Sequence, residues 1–218
     1  MSKAMMAAAA ALLAMATTAS AATTLHIDGG AAGDIPGGAA TNDFLSSPLG
    51  VSLGFSSPTS GYFGSSISLS GWNSGAVLQV SVLGYEAGYH NRFTGLGGTY
   101  TSPGGSMFVD SLASWIYTPV ADGDLAFEFD SITSGQSVAN GDTNAPTGMN
   151  FFATFGPGYE TDTSGSVLWL FLDDDGAGPD DNHDDLVVRI AAVPLPAGGL
   201  MLLTGLGVLA LRRKRKAA

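Results

Sequence analysis

Apolar positions in this chain recur at every second residue, not at every third or fourth. From Ala76 to Leu83, Leu78, Val80 and Val82 share one parity, while Gln79 and Ser81 take the other. A period of two marks a strand with one buried face. Leu125 to Asp130 has the same form, with Leu and Phe inward and Glu and Asp outward. Ile67 to Leu69 alternates, and Met107 to Leu112 is a weaker candidate. Met149 to Phe155 and Val167 to Leu172 are apolar at both parities, which predicts central strands covered on both faces. Leu186 to Ile190 closes the series. Thr23 to Ser60 is rich in Gly, Ala and Ser; it holds an opening strand at Leu25 and Ile27 and a candidate edge strand from Val51 to Phe55. Gly-containing turns separate these segments, and no convincing amphipathic helix interrupts them. The expectation is an all-β fold of about seven to ten strands, an antiparallel β-sandwich or jelly roll. Trp72, Trp115 and Trp169 are expected in its core or at its rim, and Asn140 to Pro146 as a long loop.

Both ends break the strand pattern. Lys3 precedes an apolar run from Ala4 to Met15, and Ala19-Ser20-Ala21 forms a small-x-small cleavage site. Residues 1–21 therefore read as a secretory signal peptide cut after Ala21. At the other end, 197–211 carries no charge, and at the helical rise it reaches about 22 Å, short of the roughly 30 Å hydrocarbon core. Pro194 and Pro196 lack amide donors and would disrupt an extension backwards. The five basic residues Arg212, Arg213, Lys214, Arg215 and Lys216 would hold the C-terminal end in the cytoplasm, with the body outside. A helix this short serves as a transient or a permanent inner-membrane anchor. The body, residues 22–192, is long enough for one domain with a real core.

The string Val193-Pro194-Leu195-Pro196-Ala197, the Gly- and Leu-rich span and the basic finish resemble the PEP-CTERM class of bacterial sorting signals, in its VPLPA variant. That resemblance covers residues 193–218 and implies processing by an exosortase-like membrane transpeptidase near the proline motif, with transfer to the cell surface. Leu195 stands where the better-known motif has Glu. The tail would then act as an address, as a GPI signal does.

Charge sharpens once the ends are set aside. Five of the eight basic residues lie in the tail and Lys3 in the signal, so Arg92 and Arg189 stand alone against 19 acidic residues, a net charge of −17 for the body. Such a surface disfavours nucleic acid and anionic lipid and favours divalent cations. The chain has no cysteine, which excludes disulfides, thiol catalysis and thiolate zinc sites.

The acidic residues concentrate in one place. Asp173-Asp174-Asp175-Gly176-Ala177-Gly178-Pro179-Asp180-Asp181-Asn182-His183-Asp184-Asp185 holds seven aspartates in 13 residues, between two apolar strands. Gly and Pro turn the chain, so carboxylates from both arms can converge. Hard oxygen donors in a flexible loop suit calcium, which takes about six to eight oxygens. The candidate ligands are Asp173, Asp175, Asp180, Asn182, Asp184 and Asp185. The spacing is not an EF-hand, because Asp185 takes the place of its invariant Gly and the closing Glu is missing. The alternative is a solvated acidic turn that keeps an edge soluble. His183 reads as isolated and not as a ligand.

Asp180 to Ile190 also resembles the closing Asp-Asn-Asp-x-Asn-Asp-Leu-Val pattern of a surface-protein family of unknown function whose members often end in a PEP-CTERM-type tail. Tyr85-Glu86-Ala87-Gly88-Tyr89-His90-Asn91 resembles that family's Glu-x-Ala-Gly-Tyr-x-Asn segment, with Glu86 displaced by one place. The resemblance spans residues 76–191 and implies a β-sandwich-like domain with a calcium site; it assigns no catalysis.

The function expected is that of a secreted or surface-anchored, non-enzymatic protein, calcium-bound at the acidic hairpin and associated with the cell surface, biofilm or an exopolysaccharide matrix. A carbohydrate-binding module is the alternative, with Tyr62, Phe63, Tyr89, Trp115 and Tyr117 as a stacking platform. A secreted hydrolase is the third reading. A glycosidase needs two opposed carboxylates, and Glu86, Glu128 and Glu160 are the only glutamates. A Ser-His-Asp set would draw on His26, His90 or His183, but no Gly-x-Ser-x-Gly elbow is present.

Overall fold

The computed structural model describes residues 23–36, 41–72, 76–141, 148–176 and 182–193. The expected cleavage-site residues Ala19 and Ala21, the candidate ligand Asp180, most of the Asn140 to Pro146 loop, and everything from Pro194 to the expected basic stop lie outside these residues. Among the described residues, no helix is long and apolar enough to cross a membrane.

The fold is all-β, and every strand pairing is antiparallel. The larger sheet runs β11 (Ser164–Gly165), β1 (Thr24–Ile35), β2 (Thr59–Ser70), β10 (Asn150–Thr154), β12 (Val167–Asp173), β13 (Leu186–Val193), β3 (Val77–Ala87), β6 (Gly105–Tyr117), with β7 (Gly123–Asp124) beside β2. The smaller sheet runs β5 (Gly98–Thr101), β4 (Asn91–Gly95), β8 (Phe127–Ser131), β9 (Gln136–Ala139). That makes thirteen strands among the described residues, more than the expected seven to ten. The strands the sequence did not announce are β4, β5, β7, β9 and β11, each two to five residues long with little apolar alternation.

β10 and β12 are central, as their two-sided apolar pattern requires. Leu168, Leu170 and Leu172 of β12 join Phe151 of β10, Leu78, Val80 and Val82 of β3, Phe93 of β4 and Phe127 and Phe129 of β8 in one buried cluster drawn from both sheets. The opposite parity of the same two strands supplies Phe152, Trp169 and Phe171 to a second cluster with Ile35, Phe44, Leu45 and Phe55. Phe44 meets Phe171 edge-on with centroids 5.5 Å apart, and Phe55 meets Trp169 edge-on at 5.0 Å. All three tryptophans pack as expected: Trp169 is buried, and Trp72 and Trp115 lean on the first cluster.

The candidate edge strand from Val51 to Phe55 does not form. Two short helices, α1 (Asp43–Ser46) and α2 (Pro48–Ser52), occupy that region. Asn42 Oδ1 accepts from Leu45 N at 2.8 Å, Ser47 Oγ accepts from Gly50 N at 3.0 Å, and Pro48 begins α2 with a preset φ. These caps outweigh the weak strand propensity of Val51, which ends up 60% exposed. The helices lay Phe44 and Leu45 over the second face of the large sheet.

Candidate functional site: the buried turn between β12 and β13

The acidic segment is the connection of the β12–β13 hairpin, whose last regular pair is Leu172 with Leu186. Asp173 lies opposite Asn150 of β10 and has the parity of Trp169 and Phe171, so its carboxylate belongs to the second, apolar face. Asp173, His183 and Asp184 are 0% exposed, and Asp174 and Asn182 5%. This overturns the reading of a solvated acidic turn for those residues.

Each arm is tied to a different part of the fold. Asp173 Oδ1 accepts from the backbone N–H of Gly176 at 2.8 Å and of Asp175 at 3.2 Å, closing a tight turn. Gly176 has φ +80°, and a Cβ there would sit 2.6 Å from the backbone of Gly148. Only glycine permits both the left-handed conformation and this approach. Asp185 Oδ2 accepts from Asp174 N at 2.8 Å across the hairpin. Asp184 Oδ2 accepts from Phe44 N at 3.0 Å at the start of α1, and Asp184 O accepts from Glu86 N at 2.9 Å in β3. Asn42 Nδ2 donates to Asn182 O, and Asn91 Nδ2 donates to Asp174 Oδ2. The segments 85–91 and 182–190, far apart in sequence, therefore meet here.

His183 is not isolated. It is held at φ +58°, its Nε2 lies 2.8 Å from Asn150 Oδ1 and 3.9 Å from Asp173 Oδ2, and its ring meets Phe63 edge-on. Strand periodicity could not find it, because the contact arises from a turn folding back under the sheet.

The candidate ligands separate accordingly. Asp173, Asn182 and Asp184 are buried together in the turn, Asp185 is half-buried beside them, and Asp175 points to solvent. Asp174, absent from the sequence-derived set, is buried with them. Among the described residues, no three His, Asp or Glu side chains converge as a formed metal cage. Asp184 Oδ1 and Asn91 Oδ1 are buried without a hydrogen-bond partner.

Burial dominates the electrostatics. It pushes the Asp184 carboxyl up to about 7, against the lowering pull of the Phe44 N–H. It pushes Asp185 up to about 9, with the Asp174 charge adding to the rise. Asp173 is raised by burial, partly offset by His183. Among the described residues, no Lys or Arg ion pair reaches Asp173, Asp184 or Asp185; the Arg–carboxylate pair found is Arg92 with Asp130, 3.0 Å apart. Burial thus penalises the ionised forms of Asp173, Asp184 and Asp185, which a bound cation would offset.

Alternative sites fare less well. The aromatic platform does not assemble: Phe63 packs on the second cluster, Tyr62, Trp115 and Tyr117 pack on the first, and only Tyr89 of the five is exposed. The glutamates are dispersed: Glu86 lies on β3 beside the turn, Glu128 on β8 of the small sheet, and Glu160 in the loop after β10. His26 Nε2 lies 2.6 Å from Ser70 Oγ, a nucleophile-and-base pair in distance. Yet Asp28, the carboxylate on the same strand face, takes the Ser68 hydroxyl and does not orient the imidazole. Among the described residues, His26 has no carboxylate to orient it, as a Ser-His-Asp set would need. His90 Nδ1 is 3.1 Å from Ser102 O.

In comparisons with known proteins, the chain matches no family model, no curated protein and no solved structure.

Proposed function

We propose that this chain is an exported, non-enzymatic surface protein whose body, a β-sandwich of jelly-roll type, is braced by calcium at the β12–β13 turn. The observation that carries this reading is the burial of Asp173 and Asp184 together, with no Lys or Arg ion pair to either among the described residues and with Asp184 Oδ1 unpaired. Buried carboxylates must be protonated, paired or bound to a cation. The donors at the turn are mainly hard oxygen, from carboxylates and from amide and backbone carbonyls beside the His183 imidazole, which suits calcium better than a soft metal. Asp173, Asp174, Asp184 and Asp185 are the residues that would hold it. Bound calcium would neutralise the turn and fasten α1, β3 and β4 to the β12–β13 hairpin.

The terminal segments supply the address. A signal peptide ending at Ala21 exports the chain, and the VPLPA-type tail with its short span and basic stop presents it to an exosortase-like enzyme. Val193, the first residue of that motif, is also the last residue of β13 and pairs with Val77. Any cut at the motif would thus fall directly after the closing strand. The destination is the cell surface or its exopolysaccharide matrix.

The test is thermal unfolding of the full chain in calcium, magnesium or excess chelator at fixed ionic strength. Calcium should raise the Tm well beyond magnesium, because a ligand of the native state stabilises it by mass action, and Asp184→Asn should remove the difference. An equal response to all salts would reduce the turn's charge to simple screening and defeat the calcium reading.

A further inference from the structure

A second site lies away from the turn, at the far end of the β1–β2 ladder. Gly30 and Gly64, both at positive φ, interrupt this ladder between the Gly29–Ser65 and Ala31–Phe63 pairs. Beyond that point Phe63 and Ile35 face the second cluster, while the pairs Ala32–Tyr62 and Asp34–Ser60 face the other way. That other face bears Leu25, Ile27, Ile67 and Leu69 nearer the first cluster, where it is buried. Here it is open: Ala32 and Asp34 are exposed, and Ser60 and Tyr62 half-buried. The loop after β10 leans over it with Glu160 and Thr161, and Tyr62 Oη donates to Thr161 O at 2.7 Å. The result is a cleft of about 300 Å³, at the small end of ligand sites.

Its chemistry is selective. Asp34 and Glu160 present carboxylates with no ion pair among the described residues, and Ser60 Oγ donates to Asp34 Oδ1 at 2.6 Å, fixing that side chain. Carboxylates with a fixed geometry accept paired hydroxyl donors strongly. The Tyr62 ring, Ala32 and the backbone of the Gly33–Gly61 pair give an apolar floor. A side chain at Gly61 would strike Ala153 O at 2.5 Å and the Phe152 ring, so the ladder sits close on the aromatic layer behind it. A body of charge −17 repels uronates, sulfates and phosphates.

We propose that this cleft binds a neutral, hydroxyl-rich saccharide, with Asp34 and Glu160 accepting from ring hydroxyls and Tyr62 packing against a sugar face. The site shares no residue with the β12–β13 turn, so it stands or falls independently of calcium there.

The test is calorimetric titration of the full chain with maltohexaose, cellohexaose, mannohexaose and oligogalacturonate, each in calcium and in chelator. Binding of at least one neutral hexasaccharide is expected in both media. It should weaken by about tenfold or more in the Asp34→Asn/Glu160→Gln double variant. The remote Asp110→Asn control should bind as the parent does. The proposal is overturned if none of the three neutral sugars binds at about 10 mM, if the double variant binds equally well, or if oligogalacturonate is preferred. Loss of one calcium equivalent in the double variant would also overturn it, since the cleft would then be a cation site.

Discussion

Asp184 is the residue on which stability should turn. Its carboxylate is fully buried and accepts one backbone N–H through Oδ2, with Oδ1 unpaired. Burial moves its pKa from the ordinary 3.8 to about 7. Between those values the folded chain keeps a proton that the unfolded chain has released. Stability in chelator must therefore fall as pH rises from about 4 towards 7 and level off above, at roughly 1 kcal/mol per pH unit. The full penalty from this one group is about 4 kcal/mol, a large part of the net stability of a domain. Asp185, raised to about 9 and half-buried, adds a slope of the same sign that extends above pH 7. The assay is urea unfolding followed by tryptophan fluorescence at steps from pH 5 to 8, in chelator and in millimolar calcium. Asp184→Asn keeps an oxygen for the Phe44 N–H but carries no titrating proton, so its slope should be shallower by about 1 kcal/mol per pH unit. Calcium should flatten the parent's slope, because the ion replaces the proton. If the parent gains stability between pH 5 and 8 in chelator, or if Asp184→Asn shows the parent's slope, the electrostatic reasoning about this turn is wrong. A slope that calcium leaves untouched would preserve that reasoning and remove calcium.

Three further outcomes follow from particular contacts. Phe171→Ala should cost about 3–5 kcal/mol in urea unfolding, since it empties a fully buried position touching Phe44, Phe55 and Phe152. Asn140→Ala should cost about 2 kcal/mol or more by thermal unfolding, because its side chain accepts from Ile67 N at 2.7 Å and donates to Ile67 O at 2.8 Å and Leu125 O at 2.7 Å. Gly176→Ala, at positive φ and against the Gly148 backbone, should lower stability by about 1–3 kcal/mol and blunt any calcium-induced rise in Tm.

Much of the fold was legible because burial on a sheet follows a period of two. Leu78, Val80 and Val82, Phe127 and Phe129, and the two-sided runs of β10 and β12 announce their faces and their central places without any knowledge of partners. The segments proposed to direct export and sorting are likewise linear patterns of charge, apolarity and proline. Composition alone put a body of −17 behind one acidic segment. Tertiary structure decided what periodicity does not carry. The long strands β1 and β2 are stabilised by ladder hydrogen bonds and by neighbours, not by their own small side chains, so their 12-residue extents stayed hidden. The helices at 43–52 depend on two caps and on an apolar face waiting beneath Phe44 and Leu45. The acidic turn is the sharpest case. Sequence places seven aspartates between two strands, but whether a carboxylate faces water or the core depends on what packs over it. Asn42, Glu86, Asn91 and Asn150 come from four distant stretches to bury Asp173, Asp174 and Asp184. Low local dielectric, which exists only in the assembled fold, is what turns those ordinary acids into a candidate cation site.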